Sequence, residues 1–282
     1  MTPRHWEPCI YFRGSHTTAF LGEYLSDRTR QVLLIAGAGF DPRSPQVCEL
    51  LVAVAPGRVR GLFLREERPG AEAEFTRRAE ANQRRLLELL PGSPVRDIAV
   101  FAEDNAVVSG RNAVAVVNEV PLAGLTDVIV DGSALSLGIT YPLVRHLLRC
   151  VEAAGEGEPR NLHVIVCDHP EMDATIRSTP WDAAAPVHGF KGGWGRSDKA
   201  DAAKLWMPQL SRGKKMILRQ IFQLLRNTQP DTVVWPILPF PSSNPRLPDE
   251  LIEEYQEELQ PGDPNVSWHG DAYGPAQAKE GA

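Results

Sequence analysis

Several features that would name a function are missing from this sequence. It has no G-x-x-x-x-G-K-[ST] phosphate-binding loop and no G-x-S-x-G nucleophile motif, which excludes P-loop nucleotidases and serine hydrolases of that type. The four cysteines are far apart and form no C-x-x-C pair, so a disulfide framework is not expected. Cys48, Cys150 and Cys167 lie in apolar segments and are predicted to be small core residues.

The sequence also has no excess of positive charge and no long apolar run. With 36 acidic and 30 basic residues, the net charge is −6, so a broad field that would hold a nucleic-acid backbone is absent. No apolar run reaches about 18 residues, and the N-terminus shows no signal-type segment. We therefore expect a cytoplasmic protein that does not bind membranes or bind nucleic acid broadly.

The apolar segments that are present alternate between strand and helix patterns. Short apolar runs predict six strands, at 32–36, 59–64, 97–102, 127–130, 162–167 and 232–235. Apolar residues at helical spacing predict helices at 45–55, 71–90, 109–120, from about 140, at 211–226 and at 248–259. This alternation is typical of an α/β fold: a doubly wound, mostly parallel six-stranded Rossmann-like sheet with helices on both faces.

The length of 282 residues is compatible with one large domain. We expect a single Rossmann-like domain over 1–260, with a leader at 1–30 and an irregular insertion at 171–198. A polar tail follows at 261–282.

The first predicted strand ends in a glycine turn. Gly37 and Gly39 match the first two positions of the dinucleotide fingerprint G-x-G-x-x-G, but Pro42 replaces the third glycine. Asp41 before Pro42 has the pattern of a helix N-cap, and its carboxylate would then occupy the amides that receive a phosphate. The alternative is that Asp41 is a ligand-binding or catalytic group, with Arg43 offsetting its charge.

The string Gly37-Ala38-Gly39-Phe40-Asp41 resembles the glycine loop of S-adenosylmethionine-dependent methyltransferases, in particular the leucine-carboxyl type. The resemblance implies an S-adenosylmethionine site in which Glu66 or Glu67, at the end of the second strand, binds ribose hydroxyls. Ile35 stands where that family usually has an acidic residue.

Two further resemblances concern nucleotide chemistry. The Gly37-Ala38-Gly39 start, taken with Val187-His188-Gly189, is similar to sirtuins and implies an NAD ligand. Asp131-Gly132-Ser133, after the fourth strand, looks like the strand-to-loop turn of phosphoribosyltransferases and of ligand-sensing Rossmann-like domains in bacterial defence systems. Asp131 and Ser133 are therefore predicted to bind a ligand, or else to cap the following turn.

A glycine-rich loop at 189–196 carries Lys191, Trp194 and Arg196. Charge and stacking would let it close over an anionic, aromatic ligand such as a nucleotide. The same loop could bind a protein partner.

Together these patterns predict a site at the strand ends for a nucleotide, S-adenosylmethionine or NAD, without a metal. We expect a sensor or effector subunit that works with a protein partner or as a homo-oligomer, in bacterial antiviral defence. The alternatives are a methyltransferase, an NAD- or nucleotide-hydrolysing enzyme, or a non-catalytic interaction scaffold. The predicted ligand-binding residues are Gly37, Gly39, Phe40, Asp41, Arg43, Glu66, Asp131, Ser133, Lys191 and Arg196.

Overall fold

The computed structural model describes residues 9–68, 70, 72–104, 106–155, 159, 161–173, 187, 190, 204–228, 232–240, 242 and 244–259. These residues fall into two compact units, one that runs to Asp173 and includes Val187 and Phe190, and one from Lys204 to Leu259. The domain limits 1–260 remain a prediction, and the tail 261–282 lies outside the described residues. No helix among the described residues has both the length and the apolar character that a membrane span requires.

The first unit contains alternating strands and helices, as the sequence predicts. Its strands are β1 (Val32–Gly37), β2 (Val59–Glu67), β3 (Val95–Ala99), β4 (Asp127–Asp131) and β5 (Asn161–Ile165). Its helices are α1 (Ser15–Tyr24), α2 (Gln46–Val54), α3 (Ala73–Leu89), α4 (Ser109–Asn118), α5 (Leu137–Glu152) and the short α6 (Pro170–Asp173).

The five strands form one sheet in the order β3-β2-β1-β4-β5, and all neighbouring strands are parallel. Such an order belongs to the Rossmann-like arrangement, in which the chain moves outward from β1 in one direction and then restarts at β4 in the other. In the register of the central pair, Ala36 of β1 lies opposite Asp131 of β4. The predicted α/β class and parallel sheet are therefore confirmed.

Helices cover both faces of the sheet. Every residue of β1 is therefore buried, and its side chains alternate between two cores. Leu34 contributes to the core made with α1, α2 and α3. Ile35 contributes to the core made with α4 and α5. The central strands are thus fixed on both sides, which gives their carboxyl ends a rigid support.

The prediction of six strands in this sheet is wrong. The sixth predicted strand is β7 (Thr232–Val234), which pairs in parallel with β6 (Lys204–Trp206) in a separate two-stranded sheet. The reason is local packing: Val234 is buried in the core of the second unit with side chains such as Leu218 and Tyr255. The apolar pattern marked the strand correctly but carried no information about its partner.

The second unit also contains α7 (Lys215–Thr228) and α8 (Leu247–Glu254). Tyr255, directly after α8, is 1% exposed, and its hydroxyl donates to the carbonyl of Ser211 at 2.5 Å and accepts from the amide of Lys214 at 2.9 Å. This buried tyrosine joins the end of α8 to the start of α7.

A charged network at the amino end of β4 attaches α1 to the sheet of the first unit. The fully buried carboxylate of Asp127 accepts from the hydroxyls of Tyr24 at 2.7 Å and Thr126 at 2.6 Å. His163 lies 2.9 Å from the same carboxylate, and Arg30 pairs with it at 3.3 Å. Because both carboxylate oxygens are engaged, we assign Asp127 a structural role.

Candidate functional site

The candidate site lies where β1 and β4 are neighbours. In open parallel sheets, ligands bind beyond the carboxyl ends of the strands at the point where the strand order reverses. Here that point is between β1 and β4, and the loops that follow them begin directly after Gly37 and Asp131. The structure therefore brings together the glycine turn and the Asp131–Ser133 segment, which the sequence predicts to contribute to one site at the strand ends.

Gly37 and Gly39 allow the two loops to approach each other. A Cβ atom on Gly37 would lie 2.6 Å from the carbonyl oxygen of Ala134, and one on Gly39 would lie 3.2 Å from the same oxygen. The buried Ser44 hydroxyl donates to the carbonyl of Gly37 at 2.6 Å and so stabilises the turn. These glycines are explained by close backbone contact within the protein, whatever ligand the site binds.

Asp41 and Arg43 form a compact ion pair in the loop after β1. The Arg43 side chain donates to the Asp41 carboxylate at two points, Nη2 to Oδ2 at 2.6 Å and Nε to Oδ1 at 2.9 Å. The backbone amide of Arg43 also donates to Oδ1, at 2.9 Å. Burial opposes ionisation of Asp41, but the Arg43 hydrogen bonds and charge outweigh it and lower the pKa of the carboxyl.

The interpretation of Asp41 as the N-cap of α2 is wrong. That helix begins at Gln46, and the residue at its N-cap position is Pro45. Asp41 instead closes a turn through the amide of Arg43, because Asp side chains readily accept from the backbone two residues ahead.

Asp131, the last residue of β4, is the most unusual side chain of the site. It is 1% exposed; Oδ1 accepts from the amide of Ser133 at 2.9 Å, while Oδ2 has no hydrogen-bond partner among the described residues. Burial raises the pKa of Asp131 to about 6, although the side chain and the amide of Ser133 oppose this shift by hydrogen bonding, and the charge of Asp41 raises the pKa further. A buried carboxylate oxygen without a partner costs free energy and is typical of a functional site.

Ser133 and Cys167 connect the ends of β4 and β5. The amide of Cys167 donates to the Ser133 hydroxyl oxygen at 2.8 Å, and Arg43 donates to the carbonyl of Cys167 at 3.4 Å. Burial raises the pKa of the Cys167 thiol, and it raises the pKa of the buried Cys48 thiol on α2 to about 12. Both thiols are therefore protonated at neutral pH and are poor nucleophiles.

Glu66 reaches the same group of loops from β2. Its carboxylate accepts from the amide of Ser136, at the start of α5, at 2.6 Å, and pairs with Arg68 at 3.2 Å. In this arrangement Glu66 stabilises the loop after β4. A contact of Glu66 with ribose hydroxyls stays a prediction.

Phe40, in the same loop as Asp41, packs against α3. It is 50% exposed, and its ring lies 4.6 Å, centroid to centroid, from that of Phe75 on α3, which is 37% exposed. The pair offers an exposed aromatic surface on the loop that carries Asp41. Lys191 and Arg196, the predicted cover of the site, lie outside the described residues.

Sequence reasoning missed one residue that shapes the loop. Asn82 of α3 donates through Nδ2 to the carbonyl oxygens of Gly39 and Asp41, both at 2.8 Å. It lies in a polar stretch of an exposed-face helix, so only the tertiary structure shows that it reaches the loop. Within the described residues, no cluster of three His, Cys, Asp or Glu side chains is arranged to hold a metal.

A cavity of about 420 Å³ lies at the other end of the sheet, where β2 begins. Its lining is mainly apolar, and the only polar side chains along it are those of Arg60 and Ser93. Among the described residues that line it, none has a buried polar side-chain atom without a partner, so the carboxyl ends of β1 and β4 are the better candidate site.

Comparison of the chain with protein-family models finds no match, and comparison with curated proteins finds no match either.

Proposed function

We propose that the protein binds a nucleotide or a nucleotide-derived small molecule at the carboxyl ends of β1 and β4. The observation that carries this proposal is Asp131, a buried carboxylate at the strand-order reversal with one oxygen that no described residue binds. Ionised carboxylate oxygens are hydrogen-bond acceptors, so a ligand with donor groups would satisfy Oδ2.

Binding without turnover is the favoured form of this function. The thiols closest in sequence to the site loops, Cys48 and Cys167, have raised pKa values and do not supply a thiolate. The Asp41 carboxylate is held by Arg43 at two points. We therefore propose binding without turnover. The resemblance of Asp131-Gly132-Ser133 to ligand-sensing domains of bacterial defence systems leads us to propose a sensor or effector subunit in antiviral defence that transmits ligand binding to a protein partner or to a second copy of itself.

An enzyme that uses Asp131 as a general acid or base is the second candidate. The specific observation is the pKa of Asp131, which burial raises to about 6, because proton transfer is efficient when the pKa lies near the working pH. A methyltransferase or an NAD- or nucleotide-hydrolysing enzyme would fit this candidate.

A thermal-shift panel tests the proposal. The full chain is heated with S-adenosylmethionine, NAD, ATP, adenosine and cyclic nucleotides, and we expect at least one to raise the melting temperature. If none does, the site does not bind this class of ligand and the proposal is wrong.

Incubation with the stabilising ligand separates sensor from enzyme. Mass spectrometry that recovers the ligand unchanged supports binding without turnover, whereas a product supports the enzyme. The partner is tested by light scattering and by cross-linking of the purified chain with and without that ligand. An unchanged mass and cross-link pattern would contradict transmission to a second copy.

A further inference from the structure

The segment that leads into α2, residues 42–46, has its backbone amides engaged within the protein. The amide of Arg43 donates to Oδ1 of Asp41 at 2.9 Å, that of Ser44 to the carbonyl of Asp41 at 3.0 Å, and that of Gln46 to the carbonyl of Arg43 at 3.1 Å. Pro42 and Pro45 have no amide hydrogen. Residues 42–46 therefore offer no amide to an anion, although amides at the entry of a helix commonly take part in phosphate binding.

The charges of the loop also disfavour a phosphate. Asp41 and Asp131 interact with each other, and the charge of Asp41 is one reason why Asp131 holds its proton more tightly. Arg43 is the cation of this loop, and it is bound to Asp41 through both Nε and Nη2. A phosphate placed here would approach two carboxylates and would have to compete with one of them for Arg43.

The unsatisfied group of the site is a hydrogen-bond acceptor. Oδ2 of Asp131 is buried without a partner in the described structure, and an ionised carboxylate can only accept. Hydroxyl groups of a ribose and amine groups of a base or side chain are donors of suitable size. They would gain a charge-assisted hydrogen bond that no described protein group makes.

We infer that the site takes a nucleoside derivative that offers hydroxyl or amine donors to Asp131 and places no phosphate beside the Asp41–Arg43 pair. This inference rests on the proposed function and narrows its ligand class: unphosphorylated nucleosides and S-adenosylmethionine fit, whereas nucleoside phosphates and NAD do not.

Matched ligand pairs test the inference by calorimetry at pH 7.5. The probes are the four ribonucleosides and S-adenosylmethionine, each nucleoside paired with its 5′-monophosphate and 5′-triphosphate, and NAD. We expect at least one nucleoside to bind, and its phosphorylated counterparts to bind about 10- to 100-fold more weakly, because the phosphate would approach the Asp41 and Asp131 carboxylates.

The variant Asp131→Asn removes the charged acceptor and is expected to weaken the binding probe about 10- to 100-fold. Asp97→Asn is the control, since Asp97 is exposed on β3 and pairs with Arg65.

A second readout needs no variant: the affinity of an uncharged nucleoside for the wild type should fall as the pH drops below about 6, because Asp131 then becomes protonated. The charged and titratable groups around Asp131 are Asp41 and Arg43 of the loop, Cys48 of α2 and Cys167 after β5, with His169 beside Asp41.

The outcomes separate the inference from the function on which it rests. If phosphorylated probes bind as well as or better than their nucleosides, the inference is overturned and the proposed function stands. If Asp131→Asn and acid leave affinity unchanged, the inference is overturned as well. If no probe of either kind binds, both fail.

Discussion

Asp127 and Asp131 lie at the two ends of the same buried strand, β4, and their carboxylates differ in how completely they are hydrogen-bonded. Asp127 has partners for both oxygens, from Tyr24, Thr126, His163 and Arg30. Asp131 has one oxygen bonded to the amide of Ser133 and one without a partner in the described structure. One strand thus carries a structural carboxylate and a candidate functional one, and substitution should distinguish them.

Asp131→Asn should stabilise the protein at pH 7.5. The buried carboxylate is ionised there at a cost, and a shift of its pKa from 3.8 to about 6 corresponds to about 2–3 kcal/mol. The amide has almost the same shape and no charge, so we expect a gain of about 1–2 kcal/mol in the free energy of unfolding, measured with urea. A loss of stability would show that the charge supports the fold and would count against a functional role.

The same shift predicts a pH dependence of stability. Because the pKa of Asp131 is higher in the folded state than in the unfolded state, the folded protein binds the extra proton between about pH 6 and pH 4. Its unfavourable contribution is therefore complete above about pH 6 and disappears as the pH falls toward 4. The unfolding free energy of the wild type minus that of Asp131→Asn should therefore increase as the pH falls from about 6 to about 4. A flat difference would mean that Asp131 does not titrate there.

Asp127→Ala should have the opposite effect. It removes the common partner of Tyr24, Arg30 and His163 and leaves their polar groups partly buried, so we expect a loss of about 3–5 kcal/mol. Burial opposes ionisation of Asp127, but hydrogen bonds from His163, Thr126 and Tyr24 outweigh it and lower the pKa of the carboxyl. The stabilisation is thus complete above the unfolded pKa of about 4 and is lost as the pH falls below it.

Urea unfolding of Asp127→Ala at pH 7 and at pH 3 checks this prediction. The difference from the wild type should be large at pH 7 and smaller at pH 3. Equal losses at both values would show that the carboxylate acts through packing and not through its charge.

The sequence was sufficient to predict that the loops after β1 and β4 lie side by side, but not the contacts between them. The position of Asp131 and Ser133 next to the glycine turn could be predicted because they directly follow an apolar run, and parallel strand ends meet at one edge. The assignment of Asp41 as a helix cap failed because α2 starts later, at Gln46, and the side chain of Arg43 competes for the carboxylate. Strand partners depend on long-range packing, so β7 could be recognised as a strand but not assigned to its own small sheet.

Asn82→Ala tests a contact that only the fold reveals. Its amide holds the carbonyls of Gly39 and Asp41, so its loss should cost about 1–2 kcal/mol and loosen the loop that carries Asp41 and Arg43. Ligand affinity in the thermal-shift assay should fall with it. Glu80→Ala, at an exposed position of the same helix, is the control and should change neither quantity. Equal behaviour of the two variants would mean that the contact does not position the loop.

Gly37→Ala should be the most disruptive small substitution at the site. The added Cβ would lie 2.6 Å from the carbonyl oxygen and 2.8 Å from the carbonyl carbon of Ala134, both backbone atoms that cannot rotate away. The loops after β1 and β4 would have to separate, at a cost of about 1–3 kcal/mol, and ligand binding should be lost.

Gly22→Ala is the matched control: a Cβ there meets nothing within 4 Å, and alanine favours the helix α1 by about 1 kcal/mol. Urea unfolding of both variants checks the contrast. A Gly37→Ala protein as stable as the wild type would show that the two loops are not in close contact, and the site assembled from them would then be wrong.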